Sequence, residues 1–195
     1  LGNMADILVL GATGFTGRLI VDYLASHPQR PMFSFAVASR SSHALEELVA
    51  SLGPEEVARI RTMAVDVSEL DTLDAILSMF KVVINAVGPY WRFGDGVVAA
   101  CVRNNVHYLD LTGEVPWVRR IISSFDDRTS TSVITPSCGF QSVPSDLVTF
   151  ASAKGLMQHL GSHVQLGHCT TFHDLKASVS DGTLASAISL LQDVP

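Results

Sequence analysis

A chain of 195 residues in which 47% are hydrophobic holds enough apolar material for one full domain and the start of another, which argues against a disordered chain. Thirteen Lys and Arg against nineteen Asp and Glu leave a formal charge of −6, which argues against a nucleic acid partner, because phosphate binding needs net basic surface. No apolar run approaches the ~18 residues of a membrane span. Cys101, Cys138 and Cys169 form no C-x-x-C pair, so a reducing, cytoplasmic setting is expected. Leu1-Gly2-Asn3 ahead of Met4 lacks the charged and apolar regions of a signal peptide.

Residues 6–10 (DILVL) predict a short buried strand, and 17–27 (GRLIVDYLASH) a helix with Leu19, Ile20, Tyr23 and Leu24 on one face. A second strand is expected over 32–40 and a second helix over 43–53, stopped by Gly53-Pro54. The third strand falls at 60–67. Ser68, with Asp71 three residues on, predicts an N-cap opening a helix over 69–80. The uniformly apolar 81–87 (KVVINAV) suits the centre of a parallel sheet covered on both faces. Then follow a helix at 96–105, a strand at 106–111, a helix at 116–130 and a strand at 132–138. Strands alternating with helices at this spacing predict an α/β fold, a doubly wound parallel sheet of strand order 3-2-1-4-5-6. Residues 1–143 make up this Rossmann-like dinucleotide-binding domain. Residues 144–195 read differently and are too few for an independent domain. They predict helices at 143–160 and 180–192 and a strand at 163–172.

Gly11, Gly14 and Gly17 lie between the first strand and the first helix. In that context Gly11 serves a sharp turn, Gly14 lets the backbone approach a pyrophosphate, and Gly17 lets the helix pack close to the strand. The helix N-terminus behind them attracts phosphate, so Thr13, Phe15 and Thr16 join the cofactor set. After the second strand comes Ala38-Ser39-Arg40-Ser41-Ser42, with no carboxylate before Glu46. An NAD site would place an acid there. Arg40, helped by Ser39, instead suits the 2′-phosphate of NADP(H), which is favoured over NAD(H); an ordinary solvated arginine is the plainer alternative. Asp66 ends the third strand and is either an acceptor for the adenine amino group or a turn residue. Ala86, Val87 and Gly88 follow the fourth strand, where the loop runs beside the nicotinamide ribose.

Catalysis is harder to place. Tyr90 is either a donor to a substrate carbonyl or a plug in the core. Asp110 and Glu114 are either acid/base groups or structural caps of the following helix. Tyr23, Tyr90 and Tyr108 are followed four residues later by His27, Gly94 and Thr112, so the Tyr-x-x-x-Lys pair of short-chain dehydrogenases is missing. His159, His163, His168 and His173, with Cys169, are not expected to converge on a metal. Cys138 has no histidine within its motif to activate it, and a small buried thiol is expected there.

The stretches GATGFTGRL, VINAVGPYWRFGDGVVAACVRNNVHYLDLTGE, PSCGFQSVPSDL and SDGTLAS together resemble the saccharopine dehydrogenase-like oxidoreductases, a group that includes trans-acting enoyl reductases. The resemblance covers nearly the whole chain. It implies an NADP-dependent oxidoreductase that transfers hydride to or from a C=C or C=N bond of a small or lipid-like substrate. It also implies that this chain is the N-terminal half of such a protein, with residues 144–195 the beginning of a second α/β domain for substrate and dimer contacts, a possible homodimer through that domain, and little turnover by this half alone. Attachment to a lipid droplet or membrane surface, known among relatives, is the alternative to the cytoplasm. Two positions depart from the family pattern: Gln141, usually Asp, and Asp181, usually Gly. A non-catalytic NADP-binding sensor is the alternative reading from another functional class.

Overall fold

The computed structural model describes residues 5–126, 131–174, 176 and 180–193. Six strands make one sheet: β1 (Ile7–Leu10), β2 (Phe35–Ser39), β3 (Arg61–Ala64), β4 (Val82–Asn85), β5 (His107–Asp110) and β6 (Ile134–Thr135). Their order is β3-β2-β1-β4-β5-β6, and every pairing is parallel. Around them lie α1 (Phe15–Ser26), α2 (Ser42–Ser51), α3 (Pro54–Arg59), α4 (Leu70–Leu77), α5 (Tyr90–Asn104) and α6 (Val115–Phe125), followed by α7 (Val143–Leu160) and α8 (Asp181–Asp193).

The strands are apolar on both sides because helices cover both faces of the sheet. On one face, Leu8, Leu10, Val83 and Tyr108 pack with residues of α4, α5 and α6 such as Leu73, Leu77, Val97, Val98, Trp117 and Ile121. On the other, Val9 and Val37 pack with Val21 and Leu24 of α1 and Leu45, Leu48 and Val49 of α2. The order reverses between β1 and β4, so the carboxyl ends of those two strands open the crevice where a ligand binds in such sheets. Fold class and strand order match the sequence expectation.

Several local details differ. The buried strip of α1 is Gly17, Val21 and Leu24, while Leu19 and Tyr23 are exposed. The strip turns toward Gly17 because that residue is where the helix touches the turn after β1. Helix α5 begins at Tyr90 rather than 96, with Gly94 and Gly96 inside it. These glycines are packing positions: a Cβ on Gly94 would meet the Trp117 ring, and one on Gly96 the Leu70 side chain. Pro54 does not simply end a helix but occupies the first turn of α3. Ser68 is not an N-cap; Glu69 holds that position without a side-chain cap, and the Ser68 hydroxyl donates to Asp66 (2.7 Å). Strand β6 is two residues long and stops before Pro136, which has no N–H for a ladder. Helix α6 ends at Phe125, and residues 127–130 of the expected helix lie outside the described residues. The strand expected over 163–172 is a loop. Its alternating side chains reach α7 instead, with the hydroxyl of Thr149 3.3 Å from the sulfur of Cys169. Cys138 is exposed rather than buried, its thiol donating to the Thr135 carbonyl (3.3 Å).

Candidate dinucleotide site

Strand β1 ends at Leu10, and the chain turns at Gly11 with φ +74°, a left-handed conformation that a side chain resists. Space forbids one as well, because a Cβ there would lie 2.9 Å from Val87 Cγ2. The Gly11 and Ala12 N–H groups donate to the Ala38 carbonyl (2.9 and 3.1 Å), which ties the turn to the end of β2. Gly14 is the N-cap of α1 and offers no side-chain cap. Its own Cβ would come within 3.3 Å of the Gly11 carbonyl. The first such bond of the helix runs from Arg18 N–H to the Gly14 carbonyl (2.9 Å). The N–H groups of Phe15 and Thr16 in the first turn therefore lack an intrahelical acceptor, and both residues line the crevice at the positive end of the helix dipole. Gly17 lies beneath, where a Cβ would run into the Gly11 carbonyl and come within 2.8 Å of Ala12 Cα.

A cleft of about 860 Å³ runs across this crevice. The glycine turn contributes Gly11, Thr13, Gly14, Phe15 and Thr16. The end of β2 contributes Ser39, Arg40 and Ser41, and the loop after β4 contributes Ala86, Val87 and Gly88. Eleven of the cofactor residues expected from sequence thus converge: ten line the cleft, and Gly17 supports it from below. Asp66 is the exception. Its carboxylate accepts the Ser68 N–H and hydroxyl (2.9 and 2.7 Å), and these bonds, aided by the charge of Arg40, hold its pKa below the ordinary value. The structure favours the turn role for Asp66. Arg40 is exposed and makes no hydrogen bond or ion pair with another described residue. Ser39 and Ser41 fold onto each other, the Ser41 N–H donating to Ser39 Oγ (3.3 Å), and Ser41 Oγ caps α2 by accepting the Ala44 N–H (3.2 Å).

The three candidate catalytic groups have structural partners. The Tyr90 hydroxyl donates to the Asn85 carbonyl (2.9 Å), and its ring packs on Trp117 with centroids 5.4 Å apart. Burial, with the charges of Asp110 and Glu114 adding to it, raises the pKa of that hydroxyl above the ordinary tyrosine value. Glu114 is 1% exposed and accepts the N–H groups of Tyr90 (2.9 Å) and Trp91 (2.7 Å), capping α5 from a distant loop. Asp110 accepts the Tyr108 hydroxyl (2.8 Å) and the N–H groups of Thr112 (2.9 Å) and Ser137 (2.8 Å). Burial raises its pKa. Asn85 joins the set by donating to the Tyr108 hydroxyl (3.2 Å) and accepting the Val87 N–H (3.0 Å). Tyr90 sits as a plug in the core, whereas Glu114 caps the preceding helix α5 rather than the one that follows it, and Asp110 ties together the loops after β5 and β6 instead of capping a helix.

Sequence reasoning missed one wall of the cleft. Ser180, Thr183, Ser186, Ala187 and Leu190, on and just before α8, line it opposite the glycine turn. Their spacing of three and four residues was the available signal, but nothing local in the sequence says where that helix docks. Gln141 also reaches in, its side chain lying where a Cβ on Gly113 would be.

Residues 7–135 match the family model described as the saccharopine dehydrogenase NADP binding domain. A lipid droplet localized protein of Caenorhabditis elegans is 34% identical over 83% of this chain and 40% of its own length. A trans-acting enoyl reductase of Mycobacterium leprae is 40% identical over 73% of this chain and 34% of its own. The chain thus spans two fifths or less of these relatives. Among solved structures, a saccharopine dehydrogenase (L-Glu forming) of Saccharomyces cerevisiae superposes with a TM-score of 0.64 at 19% identity, covering 79% of this chain and 32% of that one, and so shares the fold. The glycine turn, the first-turn N–H groups without an intrahelical acceptor, and Arg40, unpaired among the described residues, fit the group that the family model names. The chain belongs to the saccharopine dehydrogenase NADP-binding domain family and carries an NADP(H)-binding Rossmann fold.

Proposed function

We propose that this chain is the cofactor-binding part of an NADP-dependent oxidoreductase that moves hydride to or from a C=C or C=N bond of a small or lipid-like substrate. The observation that carries the reading is the joining of the glycine turn and Arg40 in one cleft. NADPH, when bound, supplies the hydride. The chain's own residues bind and orient. The Phe15 and Thr16 N–H groups meet the diphosphate, Arg40 meets the 2′-phosphate, and Val87 and Gly88 form the floor of the nicotinamide half. Residues 144–195 belong to the substrate side and offer dimer contacts. No helix among the described residues is long and apolar enough to cross a membrane. We place the protein in the cytoplasm, with a lipid surface as the alternative that the name of one relative suggests.

The engagement of Tyr90, Asp110 and Glu114 supports the second reading, an NADP-binding sensor without turnover. Calorimetric titration decides the cofactor, and NADPH oxidation with an enoyl acceptor decides between enzyme and sensor. A charge-assisted contact of about 1.5–3 kcal/mol at Arg40 corresponds to a preference on the order of ten- to a hundredfold for NADPH over NADH. Arg40→Ala should abolish that preference, and Gly14→Val should abolish binding of both. Equal affinity for the two cofactors in the unsubstituted chain would remove Arg40 from the site.

A further inference from the structure

Helix α8 enters the cleft from outside the βα repeat. Ser180 caps its start, its hydroxyl accepting the Thr183 N–H (3.3 Å) and its carbonyl the Leu184 N–H (3.0 Å). At the far end Asp193 takes a two-point ion pair from Arg92 of α5 (2.6 and 3.0 Å). Tied to α5 at that far end, α8 lays one face on the cleft: Thr183, then Ser186 and Ala187, then Leu190. Thr183 is occupied, its hydroxyl 3.0 Å from that of Ser180. The Ser186 hydroxyl has no hydrogen-bond partner among the described residues, and its Oγ lies 3.4 Å from where a Cβ on Gly88 would stand.

The two ends of the cleft differ in charge. Arg40, at the end of β2, is the one cation among the described residues that line it. The α8 end carries the carboxylates of Asp181 and of Glu114, the latter already bound to two N–H groups. A carboxylate arriving there meets negative charge without a cation to pair with, at a cost unmatched for an uncharged group. A carbonyl oxygen meets a free hydroxyl.

We infer that the α8 face determines acceptor specificity: Ser186 donates to an uncharged carbonyl, Ala187 and Leu190 take the apolar chain attached to it, and Asp181 turns free carboxylates away. This deepens the reading of the cleft as an oxidoreductase site and rests on it. Ser186 and Leu190 then have separable effects. Loss of one neutral hydrogen bond should weaken every acceptor carbonyl by roughly two- to tenfold, whatever its chain. Loss of the Leu190 side chain should weaken long chains only, by about tenfold.

The test titrates the full chain, with and without saturating NADPH, using butanoyl and octanoyl thioesters of N-acetylcysteamine and free octanoate. These acyl groups are saturated, so binding is read without turnover. Octanoyl thioester is expected to bind at least tenfold more tightly than octanoate. Asp181→Asn should narrow that gap. Ser186→Ala should weaken both thioesters alike, and Leu190→Ser the octanoyl compound alone. Octanoate binding as tightly as the thioester, no thioester binding, or a Leu190→Ser effect equal for both chain lengths would overturn the inference. Failure of NADPH to bind the unsubstituted chain would instead bring down the cofactor reading; the titration without NADPH still decides the α8 face.

Discussion

Trp117 and Phe150 stand for two regions built differently. Trp117 is 0% exposed, packs on Tyr90 and donates its indole N–H to Asp95 (2.7 Å). Phe150, on α7, is 64% exposed, as are its neighbours Leu147 and Val148 to nearly the same degree. Every apolar residue buried among the described ones lies between Ala5 and Ile121, and α7 buries none in eighteen residues. Its apolar side chains are not confined to one stripe. The sheet and its helices hold themselves together. Helices α7 and α8 contribute surface, and α8 is tied back through side chains rather than through a core.

This contrast can be broken by measurement. Trp117→Ala should cost about 3–5 kcal/mol in denaturant unfolding, the range for deleting a buried large aromatic. Phe150→Ala should stay within about 0.5 kcal/mol. Similar losses at the two positions would erase the distinction between the regions. Glu114→Ala leaves two α5 N–H groups without an acceptor and should cost about 1–3 kcal/mol, again by denaturant unfolding. Arg92→Ala removes the tie between α5 and α8. The pair is solvent-accessible, so global stability should barely change. Hydrogen exchange should speed up in α8 and leave α7 as it was; equal acceleration in both would show that the tie reaches further than α8.

The smallest effect concerns pH. Asp6 accepts the Lys81 ammonium and the Ser34 N–H and hydroxyl, and these bonds hold its pKa at about 2, below the ordinary 3.8. A carboxyl depressed in the folded state binds fewer protons there than in the unfolded chain. Its contribution is therefore present in full above pH 3.8 and lost as pH falls toward 2. The stability difference between the native chain and Asp6→Asn should be flat above that window and shrink within it. A difference that grew on acidification would assign the wrong partner to Asp6.

Sheet order and the glycine turn were legible because both are written locally. Strands alternate with helices in the order the sheet needs, and three glycines fall where the backbone must come close to itself. Arg40 was legible for the same reason, standing at a strand end with no acid beside it. Glu114 was not, since its role depends on the N–H groups of Tyr90 and Trp91, more than twenty residues earlier in the chain. The α8 wall was hidden likewise: SDGTLAS is a visible motif, but its docking is set by Gly88 and Arg92. The loop over 163–172 misled because alternation describes a strand only where a neighbouring edge exists. Local sequence carries conformational preference, whereas these side chains answer to partners brought in by the fold.

Asn85 has a consequence for how a ligand would arrive. Its amide fixes Val87 and Tyr108, and its carbonyl fixes Tyr90, before anything enters the cleft. The loop after β4, which lines the cleft, therefore has its shape before any ligand binds, and the entropy of ordering it falls on folding rather than on association. Binding on that side should proceed as docking onto a standing surface, with backbone order in residues 85–90 the same in the free and loaded states.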